Sequence, residues 1–255
     1  MRKALLIAFA AACLTAWQAS AQDLVSGLST DVIEINSSFT GTEIVLFGAV
    51  ETSDSFAALP GDDIVVVIRG PSVDLTVRRK ERVAGIWLNA EGITFQGMPG
   101  YYFLASTKPL SDIAQPETLR RFGLGASNLE ALTDVGVNPE EANLFRKAAI
   151  RNEKKQGLYW ESPTGIEFLS HSLFRARIPV PAAVPPGQYK AEVYLFRGGN
   201  IVSAQSTPLF IDKSGLERRL FEFAHRDAFL YGLAAVLMAT LLGWLSYLGF
   251  RQQNT

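Results

Sequence analysis

The chain has 255 residues, with 24 lysines and arginines against 25 aspartates and glutamates and a formal net charge of −1. That length supports one or two domains with a real core, and the near-neutral balance excludes a protein that binds nucleic acid through bulk charge. One cysteine, Cys13, excludes a disulfide framework and a thiolate metal site.

The amino terminus reads as a secretory signal. Arg2 and Lys3 form a basic head, residues 4–17 are an apolar run too short to span a bilayer comfortably, and Ala19-Ser20-Ala21 places small residues where a signal peptidase cuts. A signal peptide over 1–21, cleaved before Gln22, is predicted; an uncleaved anchor is the alternative. The residues before Cys13 are alanines, without the upstream leucine of a lipidation site, so no lipid is expected on it. Removing Arg2 and Lys3 leaves 22 basic residues against 25 acidic ones, a net charge of −3.

Short apolar runs broken by turns fill residues 28–110. Strands are expected at 32–35, 43–50, 64–68, 73–77, 84–89, 93–95 and 101–106. Leu59-Pro60-Gly61-Asp62 reads as a turn, and residues 89–92 as a hairpin turn. From Ser111 to Asp134 the composition is helical, with Leu119, Leu124, Leu129 and Leu132. A second helix is predicted from Asn138 to about Gln156. Asn138 suits the cap, Pro139 the first turn, Glu141 the capping box, and Gly157 the stop. Ala142, Phe145 and Ala149 give it one narrow apolar face, and its late basic residues suit the negative end of the helix dipole.

Strand character returns at Ile166, over 173–180 and over 189–196. Gly198-Gly199-Asn200 is a hairpin turn leading into a strand over 201–211. The expected fold is mainly β, an immunoglobulin-like antiparallel β-sandwich over 22–212 with a helical insertion at 111–157. A juxtamembrane linker follows over 213–227. Residues 229–250, FLYGLAAVLMATLLGWLSYLGF, carry no charge. As a helix they would run about 33 Å at about 1.5 Å per residue, enough for a bilayer core. A transmembrane helix over 228–250 and a cytoplasmic tail over 251–255 are predicted. With the signal peptide, this places the bulk of the chain in the periplasm of a single-pass bacterial inner-membrane protein.

Several motifs carry a family likeness: RRKERVAGIWLN at 78–89, Pro99-Gly100-Tyr101-Tyr102, ASTKPL at 105–110, Leu173-Phe174-Arg175-Ala176, Pro186-Gly187-Gln188-Tyr189, Phe223-Ala224-His225 and Leu230-Tyr231-Gly232-Leu233. Through them the chain resembles a family of transmembrane proteins of alphaproteobacteria, over nearly the whole mature length. The resemblance implies an exported, single-pass inner-membrane protein, and an association with sulfite-exporter-like permeases. It supplies no catalytic residues.

Candidate sites come from residue types. Arg78, Arg79, Lys80 and Arg82 form the densest basic run, suited either to a solvated hairpin or to an oxyanion or phospholipid headgroup. Ile86-Trp87-Leu88 beside it reads as core. His171, between Ser170 and Ser172, has no Gly-x-Ser-x-Gly elbow to make it catalytic. His225, Tyr231, Trp244 and Tyr247 fit the two membrane interfaces, and Ala235, Ala239 and Gly243 recur at four-residue spacing, as a helix-packing face requires. No cofactor, metal or nucleic acid is expected. The partners expected are membrane lipid and an integral membrane protein. The functional expectation is a non-enzymatic accessory module, with an anion-binding or sensing module and an enzyme of unrecognised type as alternatives.

Overall fold

The run Ile64-Val65-Val66-Val67-Ile68 is apolar on both faces, and both faces are buried. A strand of that kind belongs inside a sheet covered from two sides. The computed structural model describes residues 24–36, 39–50, 62–83, 85–133, 136–213 and 224–251. In it this strand, β4 (Asp62–Arg69), lies within a six-stranded sheet. Across that sheet run β2 (Val32–Ile35), β13 (Asn200–Lys213), β12 (Gly187–Arg197), β4, β7 (Tyr102–Ser106) and β9 (Tyr159–Pro163). A four-stranded sheet holds β1 (Leu24–Leu28), β3 (Gly41–Val50), β11 (Leu173–Pro181) and β10 (Ile166–Phe168).

Period-two alternation sends one side of each sheet into a common core. From the four-stranded sheet come Ile44, Leu46 and Val50, with Phe174, Ala176, Ile178 and Val180. From the larger sheet come Ile64, Val66 and Ile68, with Ala191, Val193, Leu195 and Leu209. The Tyr101 hydroxyl donates to the Pro179 carbonyl and ties the layers together. The opposite face of the six-stranded sheet carries Val65, Val67, Tyr102, Leu104 and Tyr194, and the helical segment covers it. Phe122 meets Tyr194 edge-on at 6.0 Å, and the Tyr102 hydroxyl donates to the Gly123 carbonyl at 3.2 Å.

The mainly β expectation is met, with two corrections. The sheets are not wholly antiparallel: β2 pairs in parallel with β13 and β9 in parallel with β7. Nor is 111–134 continuous helix. It breaks into α1 (Leu110–Ile113), α2 (Pro116–Arg121), a 3-10 turn (Ala126–Asn128) and the short strand β8 (Leu132–Thr133). Pro116 has no N–H to continue a helix and is accepted only in a first turn, so α1 and α2 stay separate. Leu119, Leu124 and Leu129 still reach the core, whereas Leu132 is exposed. The second helix, α3 (Pro139–Lys155), forms where predicted, with its cap on a different N–H from that of a capping box: the Asn138 side chain accepts from the Glu140 N–H at 3.0 Å, and Gly157 follows at φ +74°.

α3 buries Phe145, Ala149 and Glu153. Burial holds the Glu153 carboxyl above the usual carboxylate range. The folded state therefore binds this proton more tightly than the unfolded chain. The penalty is absent below the unfolded pKa, grows as pH rises through the window up to the raised folded value, and is complete above it. Glu153→Gln is expected to raise the melting temperature of the full-length protein at neutral pH. Its advantage over wild type should vanish as the buffer is acidified below the ordinary glutamate range; a pH series of thermal unfolding checks both.

The expected transmembrane helix needs restating. The segment is helical, α4 (Ala228–Arg251), 24 residues long. Among the described residues no helix is long and apolar enough to cross a membrane. The expected signal peptide, the turn at 59–61, linker residues 214–223 and tail residues 252–255 lie outside the described residues, as does the Tyr247 side chain.

Candidate functional site

The basic run sits on a two-stranded ribbon that grows out of the central sheet. β4 and β7 end on the pair Arg69 and Tyr102. The ladder then continues: the Gly70 N–H donates to the Tyr101 carbonyl and the Gly100 N–H to the Pro71 carbonyl, both at 2.8 Å. It passes into β5 (Ser72–Val83) and β6 (Ile86–Pro99), from the pair Ser72 and Pro99 to the pair Val83 and Ile86, with register shifts between Val73 and Leu75 and between Arg78 and Lys80. These two strands make a small third sheet with β8.

The root of the ribbon is packed. Ile93, Phe95 and Met98 are buried, with Leu75 and Val77 against them and α3 alongside. Beyond Arg78 the burial stops. From Arg78 to Lys80 and again from Ile86 to Asn89 every residue is exposed. The hairpin turn predicted at 89–92 is strand; the reversal comes at Gly85, whose φ of +86° is one that glycine adopts without strain. This moves Ile86-Trp87-Leu88 from the expected core to the tip, at 61%, 68% and 46% exposure. The run is apolar, but among the described residues no second layer lies over this part of the ribbon to bury it.

Register sorts the tip into two faces. Lys80 pairs with Asn89 and Arg82 with Trp87, so these four share one face. Glu81 pairs with Leu88, on the other, and the backbone pairing ends at Val83 and Ile86. The Arg79 guanidinium binds the Glu81 carboxylate at 2.7 Å, and the Arg82 Nε–H donates to the Gly85 carbonyl at 3.4 Å. Among the described residues no carboxylate lies in ion-pair reach of Arg78, Lys80 or Arg82. Between Arg78 and Gly92 four basic side chains face two acidic ones, Glu81 and Glu91.

A second cationic place lies where the ribbon leaves the sheet, and sequence reading missed it because its residues are far apart in the chain. Arg69 is ion-paired to Glu192, and its other nitrogen donates to the carbonyls of Phe122 at 2.7 Å and Gly123 at 3.2 Å. Arg120, Arg121, Phe122, Leu129 and Glu130 join it around an open groove of about 320 Å³. Beneath, the Gly125 N–H donates to the Tyr102 hydroxyl at 2.8 Å. Burial keeps that phenol well above its ordinary pKa, although the Gly125 bond and Arg69 pull the other way. It is neutral at physiological pH and acts as a hydrogen-bond bridge between sheet and helical segment.

The remaining candidates stay apart from both places. His171 is exposed in the turn before β11, where the Ser170 hydroxyl accepts the N–H groups of Ser172 and Leu173 at 3.4 and 3.1 Å. His225 is exposed just ahead of α4. Within α4, Tyr231 and Trp244 are exposed, and Ala235, Ala239 and Gly243 are exposed at four-residue spacing, which puts them along one stripe. Among the described residues no group of three or more His, Cys, Asp or Glu side chains could hold a metal ion.

A family model described as "Putative transmembrane protein" matches residues 23–252, nearly the whole chain outside the amino-terminal 22 residues. No curated protein matches the sequence.

Proposed function

We propose, since the chain belongs to this family of transmembrane proteins, that it is a membrane-anchored periplasmic accessory module, non-enzymatic, working with an integral membrane partner. The observation that carries the reading is α4: Phe229, Leu230, Val236, Leu237, Leu241, Leu242 and Trp244 are all exposed on it. In water this would be an unsheltered apolar helix, whereas in a bilayer it is matched to its solvent. We assign 228–250 to a single inner-membrane span with the β domain outside. The immunoglobulin-like character of the two sheets belongs to the same reading. It is supported by the division of the first strands between sheets, β1 in one and β2 parallel to the last strand in the other.

The partner contact is assigned to the stripe Ala235, Ala239 and Gly243. Small residues let a second helix approach closely, and a Cβ at Gly243 would meet nothing within 4 Å in the monomer. Photo-crosslinking in native membranes, with mass spectrometry of the product, tests it. Ala239→Phe is expected to reduce the crosslinked complex several-fold while leaving the protein in the carbonate-washed membrane. An undiminished complex removes the packing argument, and release by carbonate removes the anchor.

A second reading, an anion-binding module, is favoured by the groove that Arg69, Arg120 and Arg121 line. Sulfate is expected to raise the thermal stability of the wild type and not of Arg120→Ala/Arg121→Ala. An equal response in both counts against it.

A further inference from the structure

We infer that the tip of the β5–β6 ribbon is a second membrane contact, in which Ile86, Trp87 and Leu88 enter the headgroup boundary of an anionic bilayer and Arg78, Lys80 and Arg82 bind lipid phosphates. The inference deepens the reading above and rests on its membrane anchor for bringing the ribbon near a bilayer.

Three independent features carry it. The first is exposure. A two-stranded ribbon bare on both faces is marginal in water, and this one ends in an isoleucine, a tryptophan and a leucine that are roughly half to two-thirds exposed. Tryptophan prefers the membrane interface, where its ring is apolar and its N–H still finds a partner. The second is charge. Arg79 neutralises Glu81 within the tip, which leaves Arg78, Lys80 and Arg82 as cations near the apolar residues against the one remaining carboxylate, Glu91. That combination, basic side chains flanking an aromatic and aliphatic wedge, complements an anionic lipid surface. A soluble protein partner would match the wedge but has no general reason to match the cations.

The third is placement. The ribbon is rooted at one end of the central sheet, and the chain leaves for α4 from the same end. Arg69 pairs with Lys190, Gly187 pairs with Ile211, and β13 finishes at Lys213. Pro71 packs on Gly187 so closely that a Cβ there would lie 3.1 Å from its ring. From that common end β5 reaches up to about 36 Å at roughly 3.3 Å per residue. The eleven Cα steps between Lys213 and Ala224 reach at most about 40 Å. The ribbon tip and the start of the anchor are thus within range of one bilayer surface.

The test uses the full chain carrying Cys13→Ser and Ile86→Cys, with an environment-sensitive fluorophore on position 86. The protein is reconstituted into vesicles of phosphatidylcholine alone or with phosphatidylglycerol. On the mixed vesicles the emission is expected to shift to the blue and to be quenched by lipids spin-labelled near the headgroup. Arg78→Ala/Lys80→Ala/Arg82→Ala should abolish the shift, and Arg78→Lys/Arg82→Lys should keep it. High salt, which shortens the screening length to about 3 Å at 1 M, should weaken it. An aqueous spectrum on both vesicles overturns the inference. So does a shift seen only in native membranes, which would identify a protein occupant. Flotation with pure phosphatidylcholine vesicles reads the anchor separately. Flotation with a silent label sinks the ribbon contact alone, and a responding label without flotation sustains the contact and sinks the anchor.

Discussion

Gly48→Ala will destabilise the domain by about 1–3 kcal/mol, the usual range for overpacking a filled core. Gly48 faces the common core from β3, directly opposite Phe174 on β11. A Cβ there would lie 2.3 Å from Cζ of the Phe174 ring and 2.7 Å from its nearer Cε. The ring is fully buried, among the largest side chains that are, and has nowhere to turn. The strand residue is a glycine because the aromatic fills its place. Chemical denaturation of the full-length protein measures the loss. The control is Phe174→Leu, which costs a cavity by itself but gives the alanine room. The double substitution should be less destabilising than the sum of the two single ones, the signature of residues in contact. Additive effects would show that the ring and position 48 do not compete for space.

The second large effect is expected at Arg69. Arg69→Leu removes the ion pair with Glu192 and both donors to the Phe122 and Gly123 carbonyls. Glu192 is 13% exposed and, among the described residues, keeps only Lys190, at 2.9 Å. Leaving a mostly buried carboxylate short of a partner is costlier than removing the pair together. About 2–4 kcal/mol is expected for the single change, and Arg69→Leu/Glu192→Leu should recover part of it. The loss should also be local: amide exchange across residues 115–128 should accelerate more than in β12, because Arg69 ties that segment to the sheet. Uniform exchange would mean that burial of Leu119 and Leu124, with the Phe122–Tyr194 ring contact, holds the cover without it.

Much of the fold was legible in the residues because local chemistry decides it. Alternation marked β11 and β12, β-branched and aromatic composition marked β3, and Gly198-Gly199 marked the hairpin between β12 and β13. Asn138 and Pro139 marked the start of α3. The misses have common causes. β9, with Tyr159 buried and Trp160 exposed, is too short and polar to show a period, and it is a strand because β7 offers it an open edge. The leucines of 111–134 promised a helix, but Pro116 and the glycines at 123 and 125 divide the segment, and the sheet beneath supplies the contacts that fix it.

The candidate site divides in the same way. The basic run at 78–82 was evident from composition, and so was the choice between a solvated hairpin and a headgroup contact. That Ile86-Trp87-Leu88 stands beside it at a bare tip was not evident, since an apolar tripeptide reads as core until the layer that would cover it proves absent. The Arg69 node, with Glu192 and the Phe122 carbonyl, joins residues more than fifty positions apart, and no spacing rule reaches that far.

By itself, then, the sequence determined the family, the β character and the apolar carboxy-terminal helix. All three depend on residue type and near-neighbour spacing, which act through local propensity and solvent preference. The tertiary structure alone decided which apolar residues are interior and which are presented. Burial is a property of what lies on the far side of a strand, and the layer over β4 is built from segments both before and after it in the chain. Past the last buried pairs of β5 and β6 there is no such layer among the described residues. That is why the same kinds of residue that make a core at Phe95 and Met98 stand exposed at Trp87.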